Sequence, residues 1–266
     1  MADSPSAESQ PFIRRERDER GVVRLTLARP QSFNALSEGM LAALQGELDA
    51  VSIDERTRVV VIAAEGKAFC AGHDLKEMRA EPSQAYYEAL FAQCARVMLT
   101  IQRLPVPVVA RVQGIATAAG CQLVAACDLA VAASGARFAV SGVNLGLFCS
   151  SPSVALSRNL QRKAAFEMLV TGEFISAEEA KARGLINRVA SAEALDAEVE
   201  SLVAAIVAKP RVAIAMGKDL FNRQLEVGVE AAYDDAGRTM ACNMMDATAL
   251  EGVQAFIDKR KPAWSA

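Results

Sequence analysis

Two stretches of small residues stand where backbone, rather than side chains, could do chemistry. Gly66-Lys-Ala-Phe-Cys-Ala-Gly-His-Asp-Leu-Lys-Glu-Met78 follows the apolar run Val59–Ala64, and Gln113-Gly-Ile-Ala-Thr-Ala-Ala-Gly-Cys-Gln-Leu123 follows Val108–Val112. Both deliver backbone N–H groups at strand ends, where unpaired amides suit a developing negative charge. Tight turns need small residues for packing too, so this Gly/Ala character alone does not define a site. Side chains able to move protons are few. His73 is the single histidine, and its ordinary pKa suits a general base, while Cys149-Ser150-Ser151 offers nucleophiles or water-holding hydroxyls with no histidine nearby in sequence. Asp74 reads as a hydrogen-bond partner at a helix start, and Ser151, before Pro152, as an N-cap.

Those loops need a rigid α/β frame. Asp18-Glu-Arg-Gly21 links two short runs between Phe12 and Leu27 as a hairpin. Ser37 then caps a helix whose Met40, Leu41, Leu44, Leu48 and Val51 face a core. Continuous apolar runs at Arg58–Ala64, Val108–Val112 and Leu129–Ala132 have the texture of strands covered on both faces. The stripe Leu90, Phe91, Cys94, Val97, Met98 and Ile101 lies between two of them, so strand, helix and strand alternate as in a parallel sheet. After Ser151-Pro152, four or five helical segments are expected, with no strand run longer than Leu185–Ala190. Ser176-x-x-Glu179 fits a capping box, and Pro152 and Pro210 fit first helical turns. The organisation expected is a loose tail over 1–10, a core over 11–200 and a helical oligomerisation region over 201–266.

Composition bounds the function. The 266 residues are 52% hydrophobic and 23% charged, which excludes intrinsic disorder and suits a core needing no disulfide or metal staple. A net charge of −3 lacks the excess expected of a nucleic-acid binder, and no apolar run reaches the roughly 20 residues that span a bilayer. Six cysteines without a C-x-x-C pair, beside one histidine, argue against zinc. With no basic-then-hydrophobic leader at the start, reduced and buried thiols in the cytoplasm are expected.

Taken in this order, Arg29-Pro-x-x-x-Asn34-Ala-Leu, Gly66–Met78 and Gly114–Leu123 resemble the crotonase superfamily, the enoyl-CoA hydratase and isomerase family, from about Phe12 to Lys261. Gly146-Leu-Phe-Cys-Ser-Ser-Pro and Arg162-Lys-Ala-Ala-Phe-Glu-Met-Leu are closest to its enoyl-CoA hydratase domain-containing protein 3 subgroup. The resemblance implies an α/β spiral of repeated ββα units with a helical C-terminal region forming homotrimers, commonly stacked into hexamers. It implies an acyl-CoA or enoyl-CoA substrate and no cofactor beyond the coenzyme A of that substrate. By motif, the oxyanion donors are the backbone amides of His73 and Ala119. Ala118-Ala119 replaces the usual glycine, which is tolerable if the amide keeps a helical dihedral but narrows the space beside the thioester. The coenzyme A stretch falls on Arg29, Ala68, His73, Asp74, Leu75 and Lys76, with Phe256 and Lys259 offered by a neighbouring subunit.

The family's hydratases hold one water between two glutamates. The same positions here are Gln122 and Gly142, and a third position used by some relatives is Ser150. An amide orients water but exchanges no proton at neutral pH, and glycine has no side chain. A nominal hydratase with weak or absent classical hydration is therefore expected. The alternatives are an acyl-CoA-binding or sensing homologue without catalysis, or a structural subunit of a hetero-oligomer.

Overall fold

In the computed structural model, which describes residues 11–264, strand β1 (Ile13–Arg17) turns antiparallel onto β2 (Val22–Leu27). The Asp18 carboxylate closes that turn by accepting from the Arg20 and Val22 amides. Ser37 caps α1 (Glu38–Ser52) by accepting from the Met40 amide, and the five apolar residues of its stripe are buried. Then a motif repeats: a long strand, a short strand and helix. β3 (Val59–Ala64) and β4 (Ala68–Cys70) precede α2 (Leu75–Ala80) and α3 (Gln84–Arg103). β5 (Val108–Val112) and β6 (Ile115–Thr117) precede α4 (Ala119–Ala126), and β7 (Leu129–Ala133) and β8 (Arg137–Ala139) precede α5 (Ser150–Asn159). The chain continues through α6 (Arg162–Thr171), β9 (Ile175–Ser176), α7 (Ala177–Ala182), β10 (Arg188–Ala190), α8 (Leu195–Val207), α9 (Arg211–Gln224), α10 (Val229–Met244) and α11 (Ala247–Ile257).

The long strands form a six-stranded sheet, β1-β2-β3-β5-β7-β10, parallel except for β1. The short ones form a second sheet, β4-β6-β8-β9. Both faces of the large sheet are covered, which explains the unbroken apolar runs. Val60 and Ile62 of β3 face the main core with α1 and α3, while Val59 and Val61 meet Leu195, Val199 and Val203 of α8.

Several expectations change. The two small-residue loops contain strands β4 and β6, whereas β10 falls inside the expected run Leu185–Ala190 and gives the large sheet its sixth strand. Seven helices, not four or five, follow residue 149. The capping box at Ser176 and Glu179 is present. Ser151 lies inside α5, whose N-cap is Cys149, and Pro210 is itself the N-cap of α9. Cys242 is exposed, unlike the other five thiols. The expected boundary at residue 200 falls inside α8, and the expected 1–10 tail lies outside the described residues.

One cation docks the C-terminal helices. The Lys218 ammonium on α9, with its side chain only 7% exposed, donates to the Ile101 carbonyl at 2.8 Å, the Val106 carbonyl at 3.0 Å and the Asp128 carboxylate at 2.6 Å. Burial opposes both charges, lowering the Lys218 pKa and raising that of Asp128, and their pairing offsets it. Lys218→Met takes the ammonium from Asp128, whose side chain is 22% exposed and keeps the Val108 amide as a donor, so urea unfolding should show a loss of about 1–3 kcal/mol, partly recovered in a Lys218→Met/Asp128→Leu double variant.

Candidate functional site

The first loop is pinned by one buried asparagine. Asn34 sits at φ 53 and spends its side chain on three backbone groups: Oδ1 accepts from the Arg29 amide at 2.9 Å, and Nδ2 donates to the Glu65 and Ala68 carbonyls at 2.8 and 2.9 Å. Gln113 adds donations to the Gly66 and Ala68 carbonyls. The end of β4 is thus tied to the 29–36 segment, and the Leu36 amide completes the tie by donating to the Gly72 carbonyl at 2.8 Å. Gly72 takes φ +92, a conformation that favours glycine, and turns the next amide, that of His73, away from the sheet ladder. Asp74 then caps α2 by accepting from the Lys76 and Glu77 amides.

The second loop lies against the first. A Cβ on Gly120 would fall inside the Cys70 carbonyl oxygen, and one on Gly72 would lie 2.9 Å from the Ala118 methyl and 3.3 Å from the Ala119 nitrogen. Ala118 has φ 51 and ψ −123, so it does not keep the helical dihedral expected of it; Ala119 opens α4. Among the described residues, neither the His73 amide nor the Ala119 amide has a backbone or side-chain acceptor. Two free N–H groups therefore stand side by side, each at the mouth of a helix.

They border a cavity of about 660 Å³. Its walls are mostly apolar, from Phe33, Leu75, Met78, Phe91, Leu145, Leu147 and Phe148. Polar side chains on the wall include His73, Asp74, Lys76, Ser141, Cys149 and Ser150, so the fold brings His73 into one cavity with Cys149 and Ser150. The His73 ring packs edge-on against Phe91 at 5.4 Å, with Nδ1 3.3 Å from the Leu36 carbonyl. Burial lowers its pKa, so the ring is neutral at pH 7; the carbonyl can only accept, which assigns the proton to Nδ1. Burial pushes the Cys121 thiol up to about 12 and raises that of Cys149, so neither is a thiolate at neutral pH.

The two positions aligned by motif with the family's glutamates differ in kind. Gln122 is buried, has no partner for Oε1, and does not line the cavity. Gly142 lines it, but a Cβ there would lie 2.5 Å from the Leu147 carbonyl oxygen and 2.7 Å from Cys149 Sγ. Ser150 is the first residue of α5, and its hydroxyl faces the Phe148 carbonyl at 3.4 Å. Ser141, beside Gly142, is bonded to the Thr117 hydroxyl at 2.9 Å. Sequence reasoning missed the Thr117 partner because only the β6–β8 register, Thr117 opposite Ala139, brings these residues together. It also passed over the three bonds of Asn34, although a buried asparagine in a loop motif is a signal for such a tie.

Of the residues expected to bind coenzyme A, His73, Asp74, Leu75 and Lys76 line the cavity. Arg29 and Ala68 do not: the Arg29 guanidinium covers the Phe12 ring at 4.3 Å and donates to the Pro11 carbonyl, and Ala68 is buried. Phe256, 86% exposed on α11, and Lys259, just past that helix, are also outside the cavity wall of their own chain. Among the described residues no group of three or more His, Cys, Asp or Glu could hold a metal, and no helix is long and apolar enough to cross a membrane.

Comparison with known proteins agrees with the sequence motifs. The profile of the family described as enoyl-CoA hydratase/isomerase matches residues 17–266. The mouse protein named enoyl-CoA hydratase domain-containing protein 3, mitochondrial, is 44% identical over 264 residues, covering 99% of this chain and 88% of its own. A crystal structure described as an enoyl-CoA hydratase of Mycobacterium smegmatis superposes with a TM-score of 0.95 at 69% identity, covering 96% of this chain and 99% of that one. The human enoyl coenzyme A hydratase domain-containing protein 3 gives 0.91 at 42%, covering 95% and 100%. The expectation of a cytoplasmic setting is overturned by the relatives' names, since the mouse, rat and human proteins are all designated mitochondrial. With its repeated strand–strand–helix units and this match over nearly its whole length, the chain belongs to the enoyl-CoA hydratase/isomerase family.

Proposed function

We propose that the cavity binds an acyl-CoA or enoyl-CoA thioester with its carbonyl oxygen on the His73 and Ala119 amides, which stabilise the enolate or tetrahedral oxyanion formed there. The observation that carries this reading is the pair of adjacent N–H groups without acceptors on the wall of a largely apolar cavity. Such donors cost no reorganisation when charge develops, and loss of one typically lowers a rate about 10²–10³-fold. Asp74, Leu75 and Lys76 border the path of the coenzyme A arm. No separate cofactor is called for, because coenzyme A arrives with the substrate.

Classical hydration is weak or absent in this reading. A positioned acid or base contributes roughly 10²–10⁴-fold each, and neither Gln122 nor Gly142 is one. The remaining polar atoms, the Ser141–Thr117 hydroxyl pair and Ser150, hold water or a polar substituent without exchanging protons at neutral pH. Neutral His73, with Nε2 as an acceptor, is a weak base on the wall, beside the Asp74 carboxylate that caps α2. A second reading, a thioester-binding protein without catalysis, is favoured by the closed space at Gly142.

Self-association of the C-terminal helices belongs to the same proposal. Tyr233, Met245 and Phe256 are 76%, 78% and 86% exposed, and Ala255 is the one buried residue of α9–α11. An apolar face of this kind suits contact with further copies in a homotrimer or a hexamer, which would bring Phe256 and Lys259 to a neighbouring cavity.

Three outcomes test the site. Calorimetry should show crotonyl-CoA binding more tightly than free coenzyme A, and Ala119→Pro, which deletes the N–H, should cut that preference by about 2–10-fold while free coenzyme A binds as before. Equal preference in the folded variant would remove Ala119 from the site. Ultraviolet-monitored hydration of crotonyl-CoA should run at least about 100-fold below the roughly 10 s⁻¹ typical of enzymes. Restoring both carboxylates by Gln122→Glu/Gly142→Glu should not raise it, because the second glutamate overpacks the wall and should destabilise the fold by about 1–3 kcal/mol.

A further inference from the structure

The residue before each donor amide differs. Gly72, before His73, has no side chain, whereas Ala118, before Ala119, carries a methyl group into the cavity wall. Ala118 does so at a conformational cost. At φ 51 and ψ −123 it occupies the first central position of a type II′-like turn, where glycine is the usual residue and an L side chain is strained. The surroundings over-determine that geometry: the Ala118 amide donates to the Ala139 carbonyl, and the Ala118 carbonyl accepts from the Gln122 amide, both at 3.0 Å.

We propose that the Ala118 methyl is a steric filter that selects against acyl thioesters branched at the carbon next to the thioester carbonyl. This rests on the thioester reading above. The donor N–H of Ala119 belongs to the peptide joined to the Ala118 Cα, so an oxygen accepting at about 2.9 Å brings the atoms bonded to its carbonyl carbon against that methyl. Those atoms are the sulfur and the α carbon. The sulfur bears the same unbranched arm in every coenzyme A thioester, so the methyl discriminates through the α carbon alone. Gly72 opposite cannot yield, since any Cβ there would lie 2.9 Å from the same methyl.

The test uses the full chain, wild type and Ala118→Gly, with butyryl-CoA and isobutyryl-CoA. These have equal carbon number, and neither can be hydrated. Calorimetry on the wild type should favour the straight chain. In Ala118→Gly that preference should fall about tenfold or more, the range associated with one methyl group in a fitted pocket. Thermal unfolding of the variant should rise by about 2–4 °C as strain is relieved. An unchanged ratio of the two affinities overturns the filter even if the midpoint rises, and an equal gain for both ligands does the same by moving the methyl to the sulfur side. If neither thioester binds the wild type while the protein is folded, the thioester reading fails and takes the filter with it.

Discussion

The site depends on one close approach. Gly120, at the start of α4, packs so tightly on the Cys70 carbonyl at the end of β4 that no Cβ fits between them. That contact joins two consecutive strand–strand–helix units at their carboxyl ends, and everything nearby follows from it. Gly72 is brought against Ala118, the two loops share a wall, and the amides beyond each stand together. Substitution by any larger residue at position 120 would wedge the short sheet open, so the geometry of the donors is set by packing, with Asn34 and Gln113 fixing the outer end of the same loop.

The electrostatics of the cavity match that backbone design. His73 is kept neutral by burial, the Cys121 and Cys149 thiols are held protonated by it, and Asp74 spends its carboxylate on the first turn of α2. Fixed dipoles are then the stronger resource. Free N–H groups stabilise charge without a proton transfer, and a largely apolar surround strengthens them.

Much of the frame was legible in the sequence because it rests on period. The five-residue stripe of α1, the stripe of α3 and the three apolar strand runs are long enough for burial to impose a repeat, and all stand where the pattern put them. β4 and β6, three residues each, and the two-residue β9 are too short to show one, and β10 has only half-buried residues. Those four strands depend on neighbours distant in the chain, as do the Thr117–Ser141 bond and the crowding at Gly142. The C-terminal helices were legible as helices, but not the docking of α9 through the Lys218 ammonium beside the Arg211 and Asn222 bonds, since nothing local marks Lys218 off from a surface lysine. Motif order pointed to the His73 and Ala119 amides that stand without acceptors, yet the unusual dihedrals of Ala118 could not be read from its identity, since alanine is a residue that normally avoids them.

The bare backbone at Gly142 and the shape of the 141–149 loop are one feature rather than two. The Leu147 amide donates to the Gly142 carbonyl at 3.0 Å, folding the loop so that the Leu147 carbonyl and Cys149 Sγ converge on the Gly142 Cα. Both are electron-rich atoms. A carboxylate rooted at position 142 would meet them sterically at its first carbon and, further out, would have to share a largely apolar cavity with no adjacent cation fixed upon it, which raises its pKa or expels it. The glycine is therefore what allows the loop to close and α5 to begin at Ser150. At this point of the wall the cavity offers backbone and apolar surface, with no side chain from position 142.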